Sequence, residues 1–289
     1  MKRLLQLLLL LSLSALPLRA QTNAPLLMAA VAETDTTALA VFFGPGKMIA
    51  LTFHNPTQAD YTGDLHTRLW QASSATAIPL ADTPWKTLRV VAHQTVLEPA
   101  ALDFPPVNVP TTFILQWLDN SNHLLDTTRV LVYPTNLLDE LKRLLPQSGD
   151  NVGVLDPHRL LIPALNLAAI PFINLAEGSL THFSGRLLLV GPCLPPDPEW
   201  DGLSGRLRDV ARNGTPIVWF QPPPARPDQP LPSFYVVPEN RATVVVAQPE
   251  LVAGLLDQPQ SQLNLIYYCQ LALHPEPFKL PGLNPLPQL

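Results

Sequence analysis

The spacing of apolar residues changes about midway along the chain, and this change limits the fold more than any single motif does. From Ala38 to Tyr133 the apolar residues come in short alternating runs rich in Val, Ile, Thr and aromatics: "ALAVFF", "KMIALTFHN", "DLHTRLWQA", "WKTLRVVAHQ", "TTFILQWLD" and "TTRVLVYP". Turn-forming clusters separate them, "GPG", "NPTQAD", "FPPVNVP" and "DNSN", at the spacing of an antiparallel β-sandwich. The clearest hairpin is "FILQWLDNSNHLLDTTRVLVYP", two strands around a polar turn from Asp119 to Asn122, stopped by Pro134. "GPGK", from Gly44 to Lys47, is too short for a phosphate-binding loop and lacks the following Ser or Thr, so it reads as a hairpin turn.

The period then becomes helical. In "NLLDELKRLL" the apolar residues fall at 137, 138, 141, 144 and 145, a stripe that ends before Pro146. Beyond "PQSGD" the pattern alternates continuous apolar strands with helices: "NVGVLD", "PHRLLIPALNLA", "FINL", "RLLLVGP", "WDGLSGRLRDVARNG", "PIVWFQ", "FYVVP", "ATVVVA", "PELVAGLL" and "QLNLIYYCQLAL". Strands apolar on both faces belong in a sheet covered on both sides and mainly parallel. The expected architecture is mixed and two-domain. An immunoglobulin-like β-sandwich of about seven strands takes 21–135, a helix and linker 136–150, a flavodoxin-like three-layer α/β domain with a mainly parallel sheet 151–275, and a Pro-rich tail 276–289.

Residues 1–20, "MKRLLQLLLLLSLSALPLRA", have basic residues, an apolar core, Pro17 and a small Ala20, the pattern of a secretory signal peptide. The expected location is therefore outside the cytoplasm, periplasmic or extracellular. The apolar core is shorter than the ~20 residues of a membrane span, and no comparable run recurs, so no span is expected after cleavage. Cleavage removes three of 18 Lys+Arg and none of 23 Asp+Glu, so 15 bases face 23 acids, a net charge of −8. That balance, without clustered Lys or Arg, argues against a nucleic-acid partner. The 34 prolines are more than twice the ordinary share of about 5%, but only "QPPPARPDQPLP" is dense enough for an extended loop. With two cysteines, stability must come from packing rather than from a disulfide scaffold.

The order "GRLLLVGP", loop, helix, "RNGTPIVWFQPP" resembles the class I glutamine amidotransferase-like domain, over roughly Gly153 to Gln221. There, a strand ending in Gly-Pro leads through a helix to a strand running into Gly-x-Cys-x-Gly. Domains of this type, often without catalytic residues, also stand beside β-sandwiches in secreted glycoside hydrolases of the β-galactosidase kind. The resemblance implies an accessory role and polysaccharide association. Matching Pro216 to the family's proline places Gln221 at the nucleophile's position, with Trp219 and Pro223 where the strained elbow needs small residues. Pro222, Pro223 and Pro224 have no N–H for an oxyanion. Cys193 lies one strand earlier. "LALHPEPF" does contain His274, Pro275 and Glu276, the tripeptide that supplies the family's catalytic histidine and glutamate. It lies only 53 residues beyond Gln221, and an acid–base pair without a nucleophile forms no covalent intermediate.

The remaining candidates are single residues. Cys193 is either a reactive thiol at the ligand-binding edge of the sheet or a small apolar residue filling a loop, and the second is the commoner case. A Cys193–Cys269 disulfide is not expected, because a helix would carry Cys269 about 15 Å away from the edge. The seven histidines (54, 66, 93, 123, 158, 182, 274) show no metal-ligand spacing, and no metal or other cofactor is expected. "DYTGDLH", with Asp60, Asp64 and His66, reads as a solvated turn with too few oxygens for calcium. Among the tryptophans, Trp70 and Trp117 are expected in the core, while Trp85 and Trp200 stand at element starts as candidate platforms. Trp219 is expected on a central strand near the ligand edge. The reading that results is an exported, non-catalytic binding or assembly module of the cell envelope. Trp200, Trp219 and Gln221 are its candidate ligand-binding residues, and carbohydrate or an envelope protein is its partner. The alternative is a cysteine-dependent hydrolase or amidase using Cys193, His274 and Glu276. A third reading, a protein with a long-lived partner, predicts an exposed apolar patch along "QPPPARPDQPLP" or the C-terminal tail.

Overall fold

The computed structural model describes residues 27–30, 39–135, 137–145, 152–175, 180–193, 202–221 and 234–275. The expected signal peptide, Trp200, Glu276, the tail and all but the first residue of "QPPPARPDQPLP" lie outside them. The described residues are sheet-rich, with few helices, and one of the three sheets they form is mostly parallel. Contacts sort the described residues into two compact units. One takes residues 27–30 and 39, Pro45–Asp103 and Thr112–Val130, and the other takes Ala40–Gly44, Phe104–Thr111 and the described residues from Leu131 onward.

The first half forms two sheets. One has the order β1 (Leu27–Ala30), β3 (Gly44–His54), β6 (Thr95–Phe104). The other runs β2 (Leu39–Phe42), β8 (Leu124–Tyr133), β7 (Thr111–Asp119), β4 (Tyr61–Ala72), β5 (Ala77–Val90). β4 is antiparallel to both β5 and β7, and β1 to β3. β4 shows why alternation makes such a sheet: Leu65, Thr67 and Leu69 are buried, whereas Asp64, His66, Arg68 and Trp70 lie on the opposite face. The inner faces meet through aromatics, with Phe53 of β3 stacked 5.8 Å from Trp85 of β5, itself 5.3 Å edge-on from Trp117 of β7.

The hairpin expected at Asp119–Asn122 is present. The N–H of Asn122 donates to the Asp119 carbonyl at 2.9 Å, and Asn122 takes φ 61°, a conformation Asn tolerates. The Gly-Pro-Gly segment is not the hairpin turn the sequence suggested, because β2 and β3 belong to different sheets. Its two glycines, at φ 124° and 64°, carry the chain from one sheet into the other, and the Gly46 N–H is fixed by Asp103 Oδ1 at 2.7 Å. "DYTGDLH" is not a solvated turn either. Tyr61 onward is strand, paired with Val90 of β5 from its first residue.

The second half begins with helix α1 (Asp139–Leu144), whose Leu141 is fully buried between buried Leu137, Leu138 and Leu145. The six-stranded sheet that follows has the order β10 (Ile173–Asn174), β9 (Val152–Leu155), β11 (Leu187–Val190), β12 (Ile217–Phe220), β14 (Thr243–Ala247), β13 (Phe234–Pro238). All neighbours are parallel except the edge strand β13. Every residue of β9, β11, β12 and β14 is buried, as continuous apolar runs require when both faces are covered. Val154, Leu187, Leu189, Val218, Phe220 and Val245 pack on one face with α2 (Ile162–Leu167), α4 (Glu250–Ala253) and α5 (Pro259–Leu273). Leu188, Val190, Ile217, Trp219, Val244 and Val246 pack on the other with α3 (Leu203–Arg212) and the 3-10 turn Leu180–His182.

Candidate functional site

In an open parallel sheet, ligands bind beyond the carboxyl ends of the strands, at the point where the strand order reverses. Here the chain passes from β9 out to β10 and then back to β11 on the other side of β9, so the reversal lies between β9 and β11. Asp156 follows the last residue of β9 and is 2% exposed. Its Oδ1 accepts the N–H of Leu160 at 3.1 Å, and its Oδ2 those of Leu161 at 2.7 Å and Ile162 at 3.0 Å. One carboxylate therefore satisfies amides at the start of α2 that have no partner within the helix. Across the reversal, Gly191 follows the last residue of β11 and donates its N–H to the Leu155 carbonyl at 2.8 Å. A Cβ at Gly191 would stand 2.5 Å from Asp156 Oδ1, so only glycine fits. Asp156 belongs to no recognisable motif. Its one signal in the sequence is an acid directly after an apolar strand and before a helix.

Cys193, two residues past Gly191, has no exposed surface and lies in the core on the α3 face with Leu188, Val190 and Trp219. Neither cysteine is disulfide-bonded, and Cys269 is buried in the core on the opposite face. Burial pushes the Cys269 thiol far above its ordinary range. Trp219 lies on the Cys193 face at 9% exposure, with an indole Nε1 that is buried and has no hydrogen-bond partner. Gln221 is half-buried and continues the ladder, its N–H donating to the Ala247 carbonyl at 2.9 Å. His274 is exposed and caps the end of α5, its N–H bonded to the Gln270 carbonyl at 2.8 Å. The structure thus brings Cys193 and Trp219 together and puts His274 on an element of the other face. Glu276 and Trp200 lie outside the described residues.

The polar residues of the first half pair with one another along the outer face of β4. His66 Nδ1 lies 2.6 Å from Asp82 Oδ1 and its Nε2 lies 3.1 Å from the Asp119 carbonyl, so both ring nitrogens face acceptors. Arg68 donates from Nε at 2.9 Å and Nη2 at 2.8 Å to Asp82 Oδ2. The His66 and Arg68 hydrogen bonds hold the Asp82 carboxyl below its usual value. Asp60 pairs with Arg89 at 3.0 Å and Asp64 accepts from Thr87. Asp60, Asp64 and His66 are thus engaged separately, and no metal-type cluster occurs among the described residues.

Two tryptophans depart from expectation. Trp85, a candidate platform, packs between Phe53 and Trp117, with Lys86 Nζ 5.1 Å from its ring centroid. The reason is a β-bulge: Leu65 pairs with Lys86 and His66 with Pro84, leaving Trp85 as the extra residue, turned into the core. Trp117 is fully buried as expected, donating to Thr128 Oγ1 at 3.0 Å. Trp70 is not a core residue. It lies half-buried on the outer face, its Nε1 donating to Gln116 Oε1 at 2.9 Å.

By sequence the chain matches no protein-family profile and no curated protein. By structure it is similar to part of an alkylpurine DNA glycosylase from Pseudomonas fluorescens bound to DNA containing an abasic site analog. That match has a TM-score of 0.28 and 11% identity, and covers 37% of this chain and 29% of that one. A β-glucosidase from Listeria innocua in complex with glucose gives 0.27 and 12%, over 37% and 16% of the two chains. The sporulation control protein Spo0M from Bacillus subtilis gives 0.28 and 11%, over 42% and 56%. In each case the match takes in less than two thirds of the other chain. Likeness this low carries no argument about function. No helix among the described residues is long and apolar enough to cross a membrane.

Proposed function

We propose that this chain is an exported binding or assembly module of the cell envelope, built from an immunoglobulin-like β-sandwich and an amidotransferase-like α/β domain that does not catalyse. The observation that carries the reading is the separation of the would-be catalytic groups. Cys193 is sealed in the core on the α3 face, whereas His274 ends α5, which packs on the opposite face. α5 has 15 residues, so it runs about 22 Å from its start to His274. A nucleophile and its base must stand within hydrogen-bond reach, about 3 Å.

The ligand edge in this reading is the carboxyl end of the sheet beside Asp156 and Gly191, with Trp219 and Gln221 at the end of the neighbouring central strand. Polysaccharide is the proposed ligand class, on the strength of the amidotransferase-like resemblance of residues 153–221. The test is a glycan array together with a pull-down from envelope fractions, using the chain from Gln21 onward and its Trp219→Ala variant. Retention on a defined glycan that the variant loses supports the reading. Absence of binding to any glycan removes the carbohydrate part of it.

A further inference from the structure

The turn between β7 and β8 is tied to the rest of its sheet by side chains, and one of these ties carries a charge that pH removes. The N–H groups of Ser121 and His123 donate to Asp119 Oδ1 at 2.8 and 2.9 Å, and that of Asn122 donates to the Asp119 carbonyl at 2.9 Å. All three turn amides therefore depend on where Asp119 sits. From β4, His66 Nε2 reaches the Asp119 carbonyl at 3.1 Å, and Arg68 Nη2 donates to Asn122 Oδ1 at 3.2 Å. His66 and Arg68 are both anchored on β5, against the Asp82 carboxylate.

The two ties respond differently to pH. A guanidinium keeps its charge, whereas an imidazole loses its charge between about pH 5 and pH 8. Both partners of the His66 ring only accept: Asp82 Oδ1, 2.6 Å from Nδ1, is a carboxylate oxygen, and the Asp119 oxygen is a carbonyl. An imidazolium has two N–H groups and satisfies both, while a neutral imidazole has one and sets a lone pair against the other oxygen. The carboxylates stay ionised through that range. Asp82 is held low by His66 first and Arg68 second, and at Asp119 burial pushes upward but the bonds from His123 and Ser121 outweigh it.

The charges around the ring act in the same direction. They are Asp64 and Arg68 on β4, Asp82 on β5, Asp119 on β7 and His123 in the turn, whose Nδ1 lies 3.0 Å from Asp119 Oδ2. With both imidazoles charged, His66, Arg68 and His123 balance Asp64, Asp82 and Asp119. With both neutral, one cation faces three anions, a net charge of −2. Tyr61 adds no charge, since burial and the Asp119 and Asp64 carboxylates push its hydroxyl up.

We propose that His66 is a pH-operated clasp. As imidazolium it ties turn 119–123 to Asp82 of β5. On giving its proton to water it keeps the charge-assisted bond to Asp82 and releases the Asp119 carbonyl, so the turn loosens. The clasp is independent of what the module binds.

The test uses the chain from Gln21 onward, from about pH 5 to about pH 8. It follows the His66 ring-nitrogen resonances and hydrogen exchange at the Ser121, Asn122 and His123 amides, expressed as protection so that the intrinsic pH dependence of exchange cancels. The expected result is two protonated His66 nitrogens at the acid end and one at the other, with protection of the three amides falling about fivefold at the same midpoint. His123→Gln leaves that fall in place, because His66 remains. His66→Gln abolishes it, because an amide does not titrate. Asp82→Asn also abolishes it but holds protection high throughout, because a neutral imidazole then accepts from the Asn amide at Nδ1 and donates from Nε2 to the Asp119 carbonyl. A singly protonated His66 at the acid end, or protection unchanged by pH, overturns the proposal. So does a fall that survives His66→Gln or Asp82→Asn, or that vanishes in His123→Gln.

Discussion

The outer face of β4 and the carboxyl end of β9 treat polar side chains in opposite ways. Along β4 and the neighbouring β5 the charges pair with each other, and they do so in contact with water: side-chain exposure is 70% and 42% for Arg89 and Asp60, and 31% and 44% for Arg68 and Asp82. At the end of β9 a single carboxylate is buried and holds three backbone amides. The difference follows from the hydrophobic period. A strand with one wet face has room for many charges, each contributing little, because water screens them and replaces them when lost. A strand buried on both faces leaves its end as the one polar position, where no water substitutes for a lost acceptor.

The largest test of this contrast is Asp156→Ala, which leaves three amides without an acceptor and is expected to lower stability by about 3 kcal/mol in urea denaturation. Gly191→Ala should weaken the same junction from the other side by driving a methyl into Asp156. A loss as small as that of a surface pair would break the comparison. Next comes Trp85→Ala, expected to lose about 2 kcal/mol, because the bulge makes this half-exposed residue part of the aromatic core. A platform tryptophan on the surface would lose almost nothing.

Asp119 sharpens the contrast within the first half, since it is polar, largely buried and set in a turn. Burial raises its carboxyl, but the N–H and imidazole of His123 and the N–H of Ser121 outweigh burial and hold it below the ordinary carboxylate value. A carboxyl lowered on folding contributes stability above its unfolded value and loses it as pH falls through its folded one. Acid titration of stability should therefore show a decline as pH falls through the carboxylate range, and that decline should flatten in Asp119→Asn. The smallest effect is expected from Arg89→Ala on the exposed Asp60 pair, next to none in urea denaturation and further reduced by salt.

Much of the fold is legible in the period alone. Seven strands, β2 to β8, lie between residues 39 and 133, and the continuous apolar runs beyond 151 form the mainly parallel sheet with helices on both faces. What escapes is decided by geometry that composition does not encode. Trp85 looks like an element start until one extra residue in β5 turns it inward, and Trp70 looks like core until its parity along β4 places it outside. Two glycines at positive φ announce a sharp change of direction but not which sheet receives the next strand. The candidate site was half legible. The Gly191-Pro192 marker and Trp219 stand out in the sequence. Asp156 does not, because its role depends on amides four to six residues ahead and on a glycine 35 residues away.

The central claim, that Cys193 is a sealed core residue separated from His274, is tested most directly by thiol labelling of the native chain from Gln21 onward at neutral pH. The account predicts that neither Cys193 nor Cys269 reacts faster than the protein unfolds, and that His274→Ala leaves the rate unchanged. Rapid stoichiometric labelling of Cys193 in the folded protein, slowed by His274→Ala, would contradict it.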